Sequence, residues 1–209
     1  MSSTCFDIEK VAELFGSSLL EEDDVLMDNY LEAYEEIMKF FQLMGSVFSF
    51  VSSDVRSKLD ILYQFRNEET QNYENFFSIK TMIEYEKTAN LFDDKSYVSA
   101  SRTLLRLHRG LDFVYEFLTR LQDLEDNDKA YECCKSAYND TLAKHHSFLI
   151  RKGAGVAMYA MPTKAELLKR VCQDVPSAIE KLPDMLRHTR VVYDRTDQLY
   201  TLHDLHSLP

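Results

Sequence analysis

Residues 96–124 read SYVSASRTLLRLHRGLDFVYEFLTRLQDL. Leu104, Leu107, Leu111, Val114, Leu118 and Leu121 recur every three or four positions, the spacing that puts apolar side chains on one face of an α-helix. The rest of the chain is punctuated in the same way. Its four prolines stand at 162, 176, 183 and 209, and its five glycines at 16, 45, 110, 153 and 155. A sheet needs frequent turns, and turns need clusters of Gly, Pro, Asn and Asp. Few such clusters occur here, so the sequence predicts an all-α fold. With no internal repeat, low-complexity segment or linker, residues 1–209 read as one domain.

Periodicity predicts about eight helices. The first covers 6–20, with Ile8, Val11, Leu14 and Phe15 inward. A second, capped by Asp23-Asp24, runs over 25–50 with Leu31, Tyr34, Ile37, Met38, Phe41 and Met44 on its stripe. A third spans 52–65, with Ser52 or Ser53 as N-cap and Val55, Leu59 and Leu62 inward. Helices over 72–91, 96–124 and 128–150 follow, then a shorter piece over 154–159 after the glycines. Pro162-Thr163 opens 164–173, and Pro176 opens a last helix to about 202, which Pro183 is expected to kink or split. Residues 47–51, VFSFV, have strand propensity but no partner strand, and read as a helix end or irregular turn.

Composition excludes several functions. Thirty-five acidic residues against 24 basic give a net charge of −11, whereas a duplex-binding protein gains affinity by neutralising phosphates and is normally basic; no nucleic-acid partner is expected. No apolar run approaches the ~18–20 residues of a membrane span. Residues 1–9 lack the basic start and apolar core of a signal peptide. Cys133 and Cys134 are adjacent, and Cys5 and Cys172 stand alone, so no disulfide framework is visible and the cytosol is the expected compartment. No nucleophile elbow, glycine-rich phosphate loop or His-Glu-x-x-His occurs, so no enzyme is expected. The acid pairs Glu21-Glu22 and Glu35-Glu36 read as solvated positions.

Three groups of polar residues stand out. Arg102, Arg106 and Arg109 lie four and three apart, on one helix face. Charge runs are usually solvated faces, but guanidinium groups also offer the fork geometry that matches phosphate. Asp54 and Lys58 share a helix face at i and i+4, which by itself is a surface pair worth a few tenths of a kcal/mol. His145 and His146 are adjacent; on a helix they point about 100° apart, so both are not expected to line one site. No Cys or carboxylate spacing completes a metal set around them, and His203 and His206 are weaker candidates still.

In order, the stretches GSVFSFVSSDVRSKL (45–59), SRTLLRLHRGLDF (101–113) and AYNDTLAKHHSFLIRK (137–152), with a tail ending LHDLHSLP, resemble the glycolipid transfer protein family, and most closely its ceramide-1-phosphate branch. The resemblance implies a two-layer helical sandwich that opens on an apolar pocket, binds one sphingolipid and carries it between membranes without chemistry or cofactor. An Asp that accepts from the ceramide amide corresponds to Asp54, and a His that donates to the amide carbonyl corresponds to His146. Sugar-binding members carry Asn four residues after that Asp and a Trp platform on the fifth helix; here those positions are Lys58 and Arg106, and the chain has no Trp. Arg102 and Arg109 also match basic positions of the phosphate branch. The implied ligand is therefore ceramide-1-phosphate, its phosphate held by Lys58, Arg102, Arg106 and Arg109. Phe40, Phe50, Val114, Phe117, Val156 and Met158 are candidates to touch the lipid chains, and Val47, Phe48, Val51, Phe148, Arg151 and Lys152 to dock on membranes. Phe148 stands where relatives often have Trp. A monomer in the cytosol, in reversible contact with endomembranes such as the Golgi and with the plasma membrane, is implied. The alternatives are transfer of a sugar-headed sphingolipid and a lipid sensor or scaffold without net transfer.

Overall fold

The computed structural model describes residues 5–209. Residues 1–4, within the stretch read as lacking a leader, lie outside the described residues. Nine α-helices are present among the described residues: α1 (Ile8–Ser18), α2 (Met27–Leu43), α3 (Ser49–Arg66), α4 (Ile79–Thr88), α5 (Ala100–Gln122), α6 (Tyr131–Asp140), α7 (Phe148–Tyr159), α8 (Lys164–Val171) and α9 (Val175–Leu202). They form a two-layer sandwich. The helix read from residues 96–124 is its axis, since α5 packs on α3, α4, α6 and α9, while α1 lies between α2 and α9. Leu104, Leu107, Leu111, Val114, Leu118 and Leu121 are all buried. Each such leucine removed from water contributes about 1.5–3 kcal/mol. No helix among the described residues is long and apolar enough to cross a membrane.

The boundaries depart from the periodic reading where side chains compete with the helix backbone. The expected helix over 25–50 stops at Leu43. Gly45 takes φ +107°, a conformation costly for any residue with a Cβ, and a 3-10 turn over Ser46–Phe48 leads into α3, three residues earlier than expected. Asp24 does not cap α2, whose N-cap is Leu26. Its buried carboxylate instead accepts the amides of Val25 and Lys80 at 2.7 and 3.0 Å. The hairpin pairing β1 (Leu19–Leu20) with β2 (Asp24–Val25) was not legible in periodicity. The expected 72–91 helix is a 3-10 turn over Tyr73–Phe76 followed by α4, which a Ser78/Thr81 capping box starts.

The expected 128–150 helix is broken. α6 ends at Asp140, a 3-10 turn covers Ala143–His145, and α7 starts at an N-cap, Ser147, whose hydroxyl accepts from Ile150 N. Thr141 bonds its hydroxyl back to the Ala137 carbonyl at 2.7 Å, one of the local bonds by which Thr and Asp compete with helix propagation. Gly153 and Gly155 lie inside α7 rather than before it. Pro183 sits inside α9, which is not split.

A buried carboxylate fixes the start of the central helix. Glu86, on α4, is fully buried and accepts hydrogen bonds from the Ser99 hydroxyl (2.9 Å), Ala100 N (2.7 Å) and Ser101 N (2.9 Å). The two amides are the first N–H groups of α5, which have no partner inside the helix, and a negative charge there also meets the positive end of the helix dipole.

Candidate functional site

Between α2, α3, α5, α6 and α7 lies a cavity of about 600 Å³, within the range of small-molecule sites. Its walls are apolar: Tyr34 and Phe41 from α2, Phe48, Phe50, Val51 and Val55 around the start of α3, Phe113 and Val114 from α5, and Ala154, Ala157 and Met158 from α7. Of the residues expected to meet lipid chains, Phe50, Val114 and Met158 line it. Phe40 and Phe117 do not. They are core residues that meet each other in a tilted contact, ring centroids 6.2 Å apart. Val156 points the other way and is 71% exposed.

Polar groups gather at one end. Asp54 and Lys58 project from α3, Arg106 and Arg109 from α5, and His145 and His146 from the α6–α7 connection. The two histidines line one cavity after all, because they are not on a helix. His145 ends a 3-10 turn and His146 is extended, with φ −104° and ψ 141°. The Tyr138 hydroxyl lies 2.9 Å from His146 Nδ1. Burial lowers the pKa of His146, with Lys58 acting in the same direction and Asp54 opposing. Burial, with Arg109, Lys144 and His146 nearby, takes His145 down to about 4. Both rings are therefore neutral at pH 7.

Each cation at this end already meets an oxygen. Lys58 Nζ, with its side chain only 12% exposed, lies 2.5 Å from Asp54 Oδ1. Arg106 Nη2 donates to the main-chain oxygen of Pro209 at 3.3 Å. Arg109 Nη2 donates to the carbonyls of His206 (2.8 Å) and Leu208 (3.4 Å). Burial and then Arg106 lower the pKa of Arg109, which records the repulsion between the two guanidinium groups. Arg102 is the exception in position. It does not line the cavity; its Nη2 donates to the Phe92 carbonyl, and its Nε is buried without a partner.

The expected docking residues divide. Phe48 is 6% exposed and, with Val51, lines the cavity, so it is a wall residue. Val47 and Phe148 are exposed, and Lys152 Nζ lies 4.6 Å above the Phe148 ring. Sequence reasoning missed Leu149 and Tyr159 and set Val156 toward the lipid chains, whereas all three are more than 70% exposed on α7. A signal was present: Leu149 and Val156 are seven apart, on the face opposite the buried Ala154, Ala157 and Met158. No His, Cys, Asp or Glu grouping suited to a metal occurs among the described residues.

Residues 25–173 match the profile of the family described as Glycolipid transfer protein (GLTP). The zebrafish (Danio rerio) ceramide-1-phosphate transfer protein is 37% identical over 98% of this chain and 98% of its own. The crystal structure of the mouse ceramide-1-phosphate transfer protein in its apo form superposes with a TM-score of 0.90 at 33% identity, covering 98% of this chain and 100% of that one. The human ceramide-1-phosphate transfer protein in complex with 2:0 ceramide-1-phosphate superposes with a TM-score of 0.88 at 30% identity and the same coverage. An apolar cavity between helical layers, polar at one end, is thus met in a chain whose sequence and fold agree with this group along nearly its whole length: it belongs to the glycolipid transfer protein family.

Proposed function

We propose that this chain, as a monomeric unit spanning 1–209, carries ceramide-1-phosphate between membranes without performing chemistry on it. One observation carries the reading: the polar end of an apolar cavity brings Lys58, Arg106 and Arg109 together with Asp54 and His146, and no Trp exists in the chain to stack on a sugar. A phosphate monoester carries about −1.5 to −2 charge, and bidentate guanidinium contacts suit it. Arg102 lies one turn behind Arg106, and a phosphate oxygen would give its unpartnered Nε an acceptor once the side chain swings forward.

The amide has one donor and one acceptor, and burying it unpaired costs several kcal/mol. The Asp54 carboxylate accepts the lipid N–H. With Tyr138 donating to His146 Nδ1, the neutral ring carries its proton on Nε2 and donates it to the lipid carbonyl. The chains need the cavity because about thirty CH₂ groups at ~0.8 kcal/mol each set the cost of free passage through water near ~24 kcal/mol.

The carrier works in the cytosol and touches membranes such as the Golgi and plasma membrane reversibly through Val47, Phe148 and the exposed face of α7, with Arg151 and Lys152 toward anionic headgroups. Vesicle-to-vesicle transfer tests the reading. Ceramide-1-phosphate is expected to move much faster than galactosylceramide, and Asp54→Val to abolish transfer with the helical circular dichroism unchanged. Equal transfer of the glycolipid overturns the headgroup assignment, and tight binding without transfer makes the chain a sensor.

A further inference from the structure

The segment after α9 is held in place rather than trailing. Asp204, at φ +57°, turns the chain back. The Leu205 side chain is buried, and its amide donates to the Tyr200 carbonyl at 2.9 Å. His206 Nε2 lies 2.9 Å from the Thr201 hydroxyl, and Leu208 packs on the core. So fixed, the segment aims three main-chain oxygens at the two arginines of the cavity mouth: Pro209 at Arg106, His206 and Leu208 at Arg109. Behind it, Arg109 and His206 border a second, polar cavity of about 240 Å³, which leaves both room to move.

We propose that residues 206–209 are a headgroup latch: their main-chain oxygens hold Arg106 and Arg109 when no anionic headgroup is bound, yield to a phosphate monoester, and re-engage as the lipid leaves. The proposal rests on the phosphate reading above. The exchange runs in this direction because the competing acceptors differ in charge. The His206 and Leu208 carbonyls at Arg109 are neutral, hydrogen bonds to an ionised acceptor are roughly twice as strong, and the Pro209 contact to Arg106 is long at 3.3 Å, so a dianionic phosphate displaces the segment. On departure the half-buried Arg109 is not stranded, since a substitute acceptor is already in reach. A carrier must unload as well as load, and the latch lowers the barrier to unloading at the expense of affinity. Engaged nine-tenths of the time, it weakens apparent binding about tenfold.

Calorimetric titration with water-soluble 2:0 ceramide-1-phosphate tests this on the full chain, on a variant lacking residues 205–209, and on the loosened variant Thr201→Val/Leu208→Gly. The deletion is expected to bind about tenfold tighter, and the loosened variant to shift in the same direction by a smaller factor. Release of a fluorescent-acyl ceramide-1-phosphate to phosphatidylcholine vesicles slows in both. Weaker binding overturns the latch, because the oxygens would then be orienting the arginines for the phosphate; unchanged binding overturns it too. Should the deletion lose helical circular dichroism, the loosened variant decides alone. No binding by the parent rejects the phosphate reading and the latch with it, whereas binding that the variants leave untouched rejects the latch only.

Discussion

Arg102 and Arg106 differ in the structure although they are spaced alike in the sequence. Arg106 is exposed at the cavity, and Arg102 is parked on the Phe92 carbonyl with its Nε unpartnered. If both serve one phosphate, losing either removes a charge-assisted contact, and truncating one partner of a desolvated charge pair costs about 2–5 kcal/mol. A solvated surface arginine costs under ~1 kcal/mol. Arg106→Leu and Arg102→Leu are therefore each expected to cut ceramide-1-phosphate transfer by more than about tenfold, read in vesicle assays. Thermal stability of Arg106→Leu should hold or rise, because Arg106 repels Arg109. Parent-like transfer by both variants would leave the stripe a solvated face. The spacing of these residues was legible, as was the pairing of Asp54 with Lys58. Which oxygens the arginines face was not, since the Phe92, His206, Leu208 and Pro209 acceptors belong to the backbone and leave no mark in residue type.

Elements were legible where one apolar face is buried, and illegible where a side chain interrupts a helix. Hence α5 was read nearly whole, whereas the region read as one helix over 128–150 is two helices and a 3-10 turn. That break makes the site, for it frees His145 and His146 to face one cavity. Ser147 caps α7 inside the misread stretch, and serine is a residue type favoured at helix starts. The start of α5 depends on a residue no local pattern singles out. Glu86 is fully buried and takes three donors at that end. Glu86→Ala orphans two backbone N–H groups at about 1–3 kcal/mol each, so about 3–5 kcal/mol is expected in all. At ~2–4 °C per kcal/mol for a chain of this size, the Tm should fall by roughly 10 °C. Glu86→Gln keeps one acceptor and should fall less. A melt within about 2 °C of the parent for Glu86→Ala would show that other groups cap α5.

At the scale of the molecule, a net charge of −11 opposes approach to anionic membranes, so docking must come from a local surface. That surface is α7. Phe148, Leu149, Val156 and Tyr159 are exposed, Arg151 and Lys152 lie among them, and the opposite face of the same helix lines the cavity through Ala154, Ala157 and Met158. On that proposal one helix would join the membrane to the cavity. Net repulsion acts over about a Debye length, near 8 Å at physiological salt, and fades at contact, where apolar insertion takes over. A Leu or Val fully removed from water contributes about 1.5–3 kcal/mol. Partial insertion of Leu149 and Val156 should give on the order of 1 kcal/mol each, enough for residence and weak enough for departure. Leu149→Asp/Val156→Asp is therefore expected to lower vesicle binding and transfer by more than about tenfold. Its affinity for water-soluble 2:0 ceramide-1-phosphate should stay at the parent value, because neither side chain lines the cavity. Sedimentation with phosphatidylcholine vesicles, set beside calorimetry, separates the two effects. Equal loss in both would mean that the substitutions deform α7, and parent-like vesicle binding would place the docking surface elsewhere, with Val47 and Phe50, exposed around the entry to α3, as the next pair to substitute.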